Sequence, residues 1–282
     1  MTLSSTPSVL LIGCGKMGEA ILSGWLACDE GAAHALTPQS FTVIEHTSDR
    51  ASVLARSYGV STALSVHEAP QADIVIVAVK PQAFGDVLLQ MRETGHVRAG
   101  EAPTLVVSIA AGIPTSEIEQ ALGEGVHVVR VMPNLPLQVG SGASAVAGGA
   151  HATQEEVEFV RELFAALGFS CVVDEGDIDT VCALSGGGPA YFSYLVELLA
   201  GAGEEAGLDH ALALELAQST LIGTGQVLAA SKQSARELRQ AVCSPGGTTL
   251  AALEAMDSHG IKEAVHAGVA SAIVRAKELS RC

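Results

Sequence analysis

The sequence predicts an α/β domain built on a parallel sheet, followed by an all-helical domain. Short apolar runs alternate with amphipathic helical patterns through roughly the first 170 residues, which is typical of βαβ units. Beyond residue 177 the pattern is helical to the end. With 48% hydrophobic and only 16% charged residues, the chain has enough apolar surface to argue against disorder, and 282 residues suit one or two domains.

The first domain is expected to span residues 1–170, and its strands are short runs rich in Val, Ile and Leu. Such runs are typical of strands that are buried on both faces of a sheet. Ser48 is expected to cap the second helix, and Gly59 to end it. The strands are predicted at residues 9–12, 41–45, 73–79, 104–109, 126–132 and 169–173, and helices at residues 19–27, 49–58 and 154–167.

The second domain, residues 171–282, is expected to be helical and to dimerise. Pro189 stands where the first turn of a helix tolerates proline. Residues 211–230 form a predicted helix that is apolar nearly all round, and such a helix must be buried. In a chain of this size the expected cover is a second copy, so we predict a homodimer.

The charge balance excludes several classes of partner. Asp and Glu total 31 against 15 Lys and Arg, for a net charge of −16. A chain this acidic is expected to repel nucleic acid and anionic membrane surfaces. No run reaches the roughly 18 apolar residues of a membrane helix. No positive charge precedes Lys16, so no secretory signal is expected.

Cysteine and histidine are scattered along the chain. The six cysteines form no CxxC pair, and the nine histidines form no His-x-x-x-His pair. This distribution favours free thiols in a reducing cytoplasm, and it does not support a metal site.

A glycine motif, Gly13-Cys14-Gly15-Lys16-Met17-Gly18, follows the first predicted strand and opens a helix. Gly13 permits a tight turn, Gly15 lets a pyrophosphate approach the backbone, and Gly18 allows close helix packing. The helix N-terminus then attracts the anion. The motif predicts dinucleotide binding in a Rossmann-type domain, and a simple βα turn is the alternative.

The end of the second strand gives conflicting signals about the cofactor. Glu45 lies where a carboxylate often binds the ribose hydroxyls, which favours NAD. His46, Ser48 and Arg50 follow, and they could instead host a 2′-phosphate. Both interpretations stay open at this point.

Three further strand ends face the expected ligand crevice. Lys80, in Ala78-Val79-Lys80-Pro81, is a candidate for catalysis, for cofactor contact or for an ordinary surface position. The small residues Ala110-Ala111-Gly112 leave room for a bulky cofactor, and Asn134 could bond a carboxamide or cap a turn.

One candidate site lies in the helical half. Ser244-Pro245-Gly246-Gly247-Thr248-Thr249 separates two helices and begins the second of them. Backbone N–H groups at such a turn can bind a carboxylate. An N-cap beside a flexible linker is the alternative.

Together these motifs resemble the pyrroline-5-carboxylate reductase family. The resemblance covers essentially the whole chain, and its most specific parts are Ser-Gly-x-Gly-Pro-Ala-Tyr and Ser-Pro-Gly-Gly-x-Thr. It implies an α/β Rossmann-type N-terminal domain followed by an all-α C-terminal dimerisation domain, with larger rings also known in the family. It rests on the segments Gly13–Gly18, Ala78–Pro81, Met132–Asn134, Leu184–Tyr191 and Cys243–Thr249.

The family reduces the cyclic imine 1-pyrroline-5-carboxylate to L-proline, the last step of proline biosynthesis. The resemblance implies NADPH as the cofactor, with NADH as the alternative that Glu45 suggests. It also implies a substrate set, Ser244, Gly246, Gly247 and Thr248, with Thr249 as the catalytic group at the imine nitrogen. The implied cofactor set is Gly13, Cys14, Gly15, Lys16, Met17, Gly18, Ser48, Ala78, Val79, Lys80, Pro81, Ala110, Ala111, Gly112 and Asn134.

One departure and two rival functions accompany this resemblance. Gly187 stands where the family usually has serine, so a hydroxyl contact is missing there. A β-hydroxyacid-type dehydrogenase would need an acid/base lysine from the helical half, and no lysine there has a glycine-rich context. A non-catalytic nucleotide-binding redox regulator would bind the cofactor without turnover. The lysines in question are Lys232, Lys262 and Lys277.

Overall fold

The computed structural model describes residues 7–28, 36–100 and 103–280, which fall into two compact units. The first unit takes in the described residues up to Gly186, together with those from Ile273 onward. The second unit is Gly187–Ala272. The predicted division between residues 170 and 171 falls inside a strand, Gly168–Val172, that pairs within the sheet of the first unit.

The described part of the first unit contains one sheet, whose strands are β1 Val9–Ile12, β2 Phe41–Ile44, β3 Ser61–Ala63, β4 Ile74–Val77, β5 Leu105–Ser108, β6 His127–Met132, β7 Gly142–Gly148 and β8 Gly168–Val172. Their order across the sheet is β3-β2-β1-β4-β5-β6-β7-β8. Neighbouring strands are parallel except for β6 and β7, which are antiparallel.

Helices flank the sheet and build the second unit. A π-helical turn, Cys182–Gly186, follows the short helix α6. The helices of the first unit are α1 Lys16–Leu26, α2 Ser48–Tyr58, α3 Pro81–Glu93, α4 Thr115–Leu122, α5 Gln154–Ala165 and α6 Ile178–Val181. Those that follow are α7 Gly188–Glu205, α8 His210–Ala230, α9 Ala235–Ala241, α10 Thr248–Ser258 and α11 Ile261–Leu279.

The sheet has a hydrophobic core on each face. In β1, Leu11 packs into the core that contains Trp25 of α1, whereas Leu10 packs into the opposite core with Phe84 of α3. Trp25 meets Phe164 edge-on at 5.4 Å between ring centroids. The predicted burial on both faces is therefore confirmed for the central strands β1, β4 and β5, whereas the edge strands β3 and β8 are partly exposed. The central strands place their ends on a well-packed scaffold.

The structure departs from the predicted elements in three places. Strand β3 is only three residues long, and β7 consists of Gly, Ala, Ser and one Val, so neither carries an apolar strand run. The sheet is parallel as predicted except at β7, a strand that was not predicted, which pairs antiparallel with β6 because the link between them is too short for a parallel crossover. The prediction that Ser48 caps α2 is wrong, since Ser48 is the first residue of the helix and Thr47 is its N-cap. Gly59, at φ +69°, ends the helix as predicted.

The second unit leaves large apolar side chains exposed in the single chain. Helices α7 and α8 pack against each other, and Gly203 allows their close approach: a Cβ there would lie 3.3 Å from Cβ of Ala213. The outer faces nevertheless expose Leu195, Leu198, Leu212, Leu216, Ile222 and Val227. A surface of this kind is typical of a protein interface.

Among the described residues, no helix has the length and apolar character needed to cross a bilayer.

Candidate active site

The turn between β1 and α1 requires glycine at two positions for reasons internal to the protein. Gly13 has φ +88°, and a Cβ there would lie 2.8 Å from Cγ1 of Val79. Its N–H donates to the Ile44 carbonyl at 3.0 Å, which ties the turn to β2. A Cβ on Gly18 would lie only 2.4 Å from the Gly13 carbonyl oxygen. The tight turn expected of Gly13 and the close helix packing expected of Gly18 are thus compatible with the geometry.

Gly15 differs from its neighbours because a Cβ there would meet no atom of the described protein within 4 Å. Gly15 is exposed and is the N-cap of α1, and it offers no side chain to cap the first-turn N–H groups. The open space and the N-terminus of α1, which no side chain caps, suit a pyrophosphate, because this group needs both a close backbone approach and N–H donors. The residues present therefore fit a dinucleotide.

Two thiols, the buried Cys14 of the glycine turn and the half-buried Cys182 of the π-helical turn, do not provide a nucleophile. Burial, reinforced by the negative charge of Glu19, raises the pKa of Cys14 to about 12. Burial, followed by the charge of Asp179, also raises the pKa of Cys182. Both thiols stay protonated at neutral pH, and only a thiolate is a good nucleophile. Cys282 lies outside the described residues.

The residues after β2 take part in two charge pairs, and the charge of Glu45 also acts on Arg50. Glu45 is only 8% exposed, and its Oε1 lies 2.8 Å from Nδ1 of His46. Arg50 donates to the Glu19 carboxylate and, at 3.4 Å, to the Cys14 carbonyl. The hydrogen bond to Glu19 raises the pKa of Arg50. Ser48 is exposed in the first turn of α2.

The strand ends of β4 and β5 lie at the same edge of the sheet as the glycine turn, because β1, β4 and β5 are parallel neighbours. The Ala78 N–H donates to the Ile12 carbonyl at 2.8 Å, so this segment adjoins the turn. Lys80 is exposed and is the N-cap of α3, which Pro81 begins. Ala110 is buried and Gly112 has φ +79°. The expected roles of these residues stay predictions.

Asn134 is held at both ends of its side-chain amide. Its Nδ2 donates to the Ser185 carbonyl at 3.2 Å, and its Oδ1 accepts from the Ala143 N–H at 2.8 Å. The residue therefore fixes the π-helical turn of Ser185 beside the end of β6. A carboxamide bond from Asn134, which the sequence suggested as one option, would have to use the remaining hydrogen on Nδ2 or the second lone pair of Oδ1.

A buried ionic network behind the β5 loop was not predicted. Arg130 is 4% exposed, and its guanidinium lies 3.4 Å from Glu175 and 3.7 Å from Asp179. Glu175 also accepts from the N–H and the hydroxyl of Thr115, at 2.7 and 2.6 Å. The network therefore anchors the start of α4, close to Gly112. An arginine inside an apolar strand was the only sequence clue, since its partners are distant in sequence.

The second unit carries the second candidate site, the turn that precedes α10. Gly246 has φ +69°, and the Gly247 N–H donates to the Ser244 carbonyl at 2.9 Å. A Cβ on Gly247 would lie 2.6 Å from the Ser244 hydroxyl oxygen. Gly247 is the N-cap of α10 and provides no side-chain cap, and Thr249 is exposed in the first helical turn. N–H groups of this kind suit a carboxylate.

Neighbouring positions bear on the remaining expectations. Gly187 has φ −78° and ψ −18°, a conformation open to any residue, so the backbone does not require glycine in place of the usual serine. The lysines of the dehydrogenase alternative, Lys232, Lys262 and Lys277, are all exposed. Within the described ranges, no group of three or more His, Cys, Asp or Glu side chains is arranged to hold a metal ion.

Comparison with known proteins relates both units to one family. The family model described as "Pyrroline-5-carboxylate reductase dimerisation" matches residues 175–279. The model described as "NADP oxidoreductase coenzyme F420-dependent" matches residues 8–112. Pyrroline-5-carboxylate reductase of Corynebacterium melassecola is 35% identical, over 97% of this chain and 99% of its own length. The Mycobacterium tuberculosis protein of the same name is 36% identical, over 96% of each chain.

Solved structures agree. A pyrroline-5-carboxylate reductase from Coxiella burnetii is 32% identical, with a TM-score of 0.88 and coverage of 98% of this chain and 99% of its own. The Plasmodium falciparum pyrroline carboxylate reductase, solved with NADP bound, is 25% identical, with a TM-score of 0.81 and the same coverage. The likeness in sequence and in structure thus extends over nearly the full length of the chain.

Proposed function

The chain belongs to the pyrroline-5-carboxylate reductase family, and from this membership we infer how its residues carry out the family's reaction. It is an NAD(P)H-dependent oxidoreductase that reduces 1-pyrroline-5-carboxylate to L-proline, the final step of proline biosynthesis. One observation carries this function. The chain has two helices, α1 and α10, that each begin after a glycine and have no side chain capping their N-terminus. The reaction has two anionic groups to bind, a pyrophosphate and a carboxylate.

The first unit is proposed to hold the cofactor. Gly15 leaves the space for the pyrophosphate, and the first turn of α1 donates N–H groups to it. When bound, NAD(P)H supplies the hydride that adds to the carbon of the imine bond. The small side chains of residues 78 and 110–112 leave room beside the turn for the rest of the cofactor.

The second unit is proposed to hold the substrate. The N–H groups at Gly246–Thr249 bind the carboxylate, and the Thr249 hydroxyl bonds the ring nitrogen and keeps its proton in place. A protonated imine is already electrophilic, so hydride on carbon and a proton on nitrogen complete the reduction. This chain's contribution is then mainly positioning, which can lower a barrier by on the order of 7 kcal/mol or more.

The test of the function is cofactor oxidation at 340 nm with pyrroline-5-carboxylate, run in parallel with NADPH and with NADH. Turnover with either cofactor is the expected result. Cofactor binding without turnover in folded, dimeric protein would contradict the function and favour the non-catalytic regulator.

Thr249→Val is expected to lower kcat/KM about 100-fold, because valine keeps the shape and removes the hydroxyl. Steady-state kinetics at saturating cofactor would measure the loss. Thr62→Val, a half-buried isosteric change in β3, is the matched control and should leave kcat/KM unchanged. Equal kinetics for Thr249→Val and wild type would remove Thr249 from the mechanism.

The second unit is the dimerisation domain, and the chain forms a homodimer. The exposed apolar residues of α7 and α8 are the surface available for this contact. The larger ring stays a prediction. We also propose a cytoplasmic location, supported by free thiols at Cys14, Cys171, Cys182 and Cys243 and by the biosynthetic role.

A further inference from the structure

We propose that Glu45 makes this enzyme prefer NADH over NADPH, by accepting a hydrogen bond from the ribose 2′-hydroxyl and repelling a 2′-phosphate. The inference rests on the proposed cofactor site and specifies which nicotinamide cofactor that site selects. The sequence alone left two interpretations open: Glu45 as a ligand of the ribose, or the residues after it as a site for the 2′-phosphate.

Position is the first support for this role. Glu45 directly follows Ile44, whose carbonyl accepts the hydrogen bond from Gly13 of the glycine turn. Ile44 is also paired with Ile12, the residue before that turn. The Glu45 carboxylate therefore belongs to the strand end beside the pyrophosphate site, where the adenosine ribose of a bound dinucleotide lies in this fold.

The environment of Glu45 is the second support. Its side chain is 10% exposed and paired on Oε1 with His46, whose own side chain is 88% exposed. A nearly buried carboxylate held on one oxygen is a fixed acceptor. Its charge is screened less than that of an exposed carboxylate.

The third support is that Arg50 of α2 is already paired with another carboxylate. Arg50, the cation best suited to a 2′-phosphate, is paired with Glu19, and Tyr58 donates to the same carboxylate at 3.1 Å. Recruiting Arg50 to a phosphate would leave Glu19 without its cation. Ser48 and the N-terminus of α2 are the groups that favour a phosphate, and the negative charge of Glu45 opposes a phosphate bound by them.

The charge at the 2′ position of the cofactor decides whether Glu45 favours or opposes its binding. A 2′-phosphate brings about 1.5 to 2 negative charges, whereas a 2′-hydroxyl is neutral and donates a hydrogen bond. We therefore expect the wild-type enzyme to bind NADH at least about tenfold more tightly than NADPH.

Isothermal titration calorimetry with each cofactor, without substrate, measures this ratio directly. Glu45→Gln keeps an acceptor of nearly the same shape and removes the charge. It is expected to tighten NADPH binding about tenfold or more and to change NADH binding much less. Glu93→Gln, the same change at an exposed position in α3, is the matched control and should leave both affinities unchanged.

Two results would overturn the role proposed for Glu45. Tighter binding of NADPH by the wild type would overturn the role of Glu45 and assign the ribose end to Ser48 and the α2 N-terminus. An unchanged ratio in Glu45→Gln would overturn it as well. Parallel turnover assays with pyrroline-5-carboxylate separate these results from a failure of the proposed function, which would show as cofactor binding without turnover.

Discussion

Gly15→Ala is expected to weaken cofactor binding at least about 100-fold while the protein stays folded. Gly15 has φ −71° and ψ −168°, a conformation that alanine adopts without strain, and its Cβ would point into open space. That space is where we propose that the pyrophosphate approaches the backbone. Calorimetry with both cofactors measures the affinity, and urea denaturation should show a change within about 1 kcal/mol, the cost of a poorer N-cap.

Gly18→Ala is the matched comparison within the same turn. Its Cβ would lie 2.4 Å from the Gly13 carbonyl oxygen, so the turn itself must shift. We expect a loss of about 1–3 kcal/mol in the free energy of unfolding together with loss of cofactor binding. Unaltered cofactor affinity in folded Gly15→Ala protein would show that the pyrophosphate binds elsewhere.

Arg130→Met should lower the free energy of unfolding by about 2–4 kcal/mol, because it leaves Glu175 and Asp179 without their buried cation. Both carboxylates are partly exposed, so solvent reduces the loss below that of a fully buried pair. Urea denaturation followed by circular dichroism measures the change.

The control for Arg130 is Arg161→Met in α5. Arg161 pairs with Glu158, whose side chain is 50% exposed, and such surface pairs contribute at most about 1 kcal/mol. Similar losses for the two variants would mean that burial adds nothing to the Arg130 network. A loss confined to Arg130→Met would support its role as the anchor of the β5–α4 loop.

The sequence predicted those parts of the fold that local pattern determines. Apolar runs identified β1, β2, β4, β5 and β6, since strands buried on both faces must be apolar throughout. The edge strand β8 was predicted as well, although its Phe169 and Val172 are exposed. Strand β7 was missed because its residues are small and its pairing with β6 depends on a short connection rather than on hydrophobicity. The prediction that Gly59 ends α2 was correct because a left-handed residue at a helix end is a local requirement.

For the candidate site too, local pattern predicted some features and not others. The glycine turns at residues 13–18 and 244–249 are contiguous motifs whose backbone geometry follows from their own residues. The pairing of Arg50 with Glu19, and the hold of Asn134 on Ser185, join residues 31 and 51 positions apart. Such contacts depend on how the elements pack, which no local pattern encodes.

The chain's path between the two units has a consequence for how the protein is made. The end of α11 returns to the first unit: a Cβ on Gly112 would lie 3.1 Å from Cβ of Leu279, and Ser280 donates to Asp179, 101 residues earlier, at 3.3 Å. On the ribosome, the sheet can therefore form long before these contacts do. The loop after β5 receives this neighbour only after residue 279 has been made, so the nascent first unit must wait for the end of α11 before that loop is fully packed.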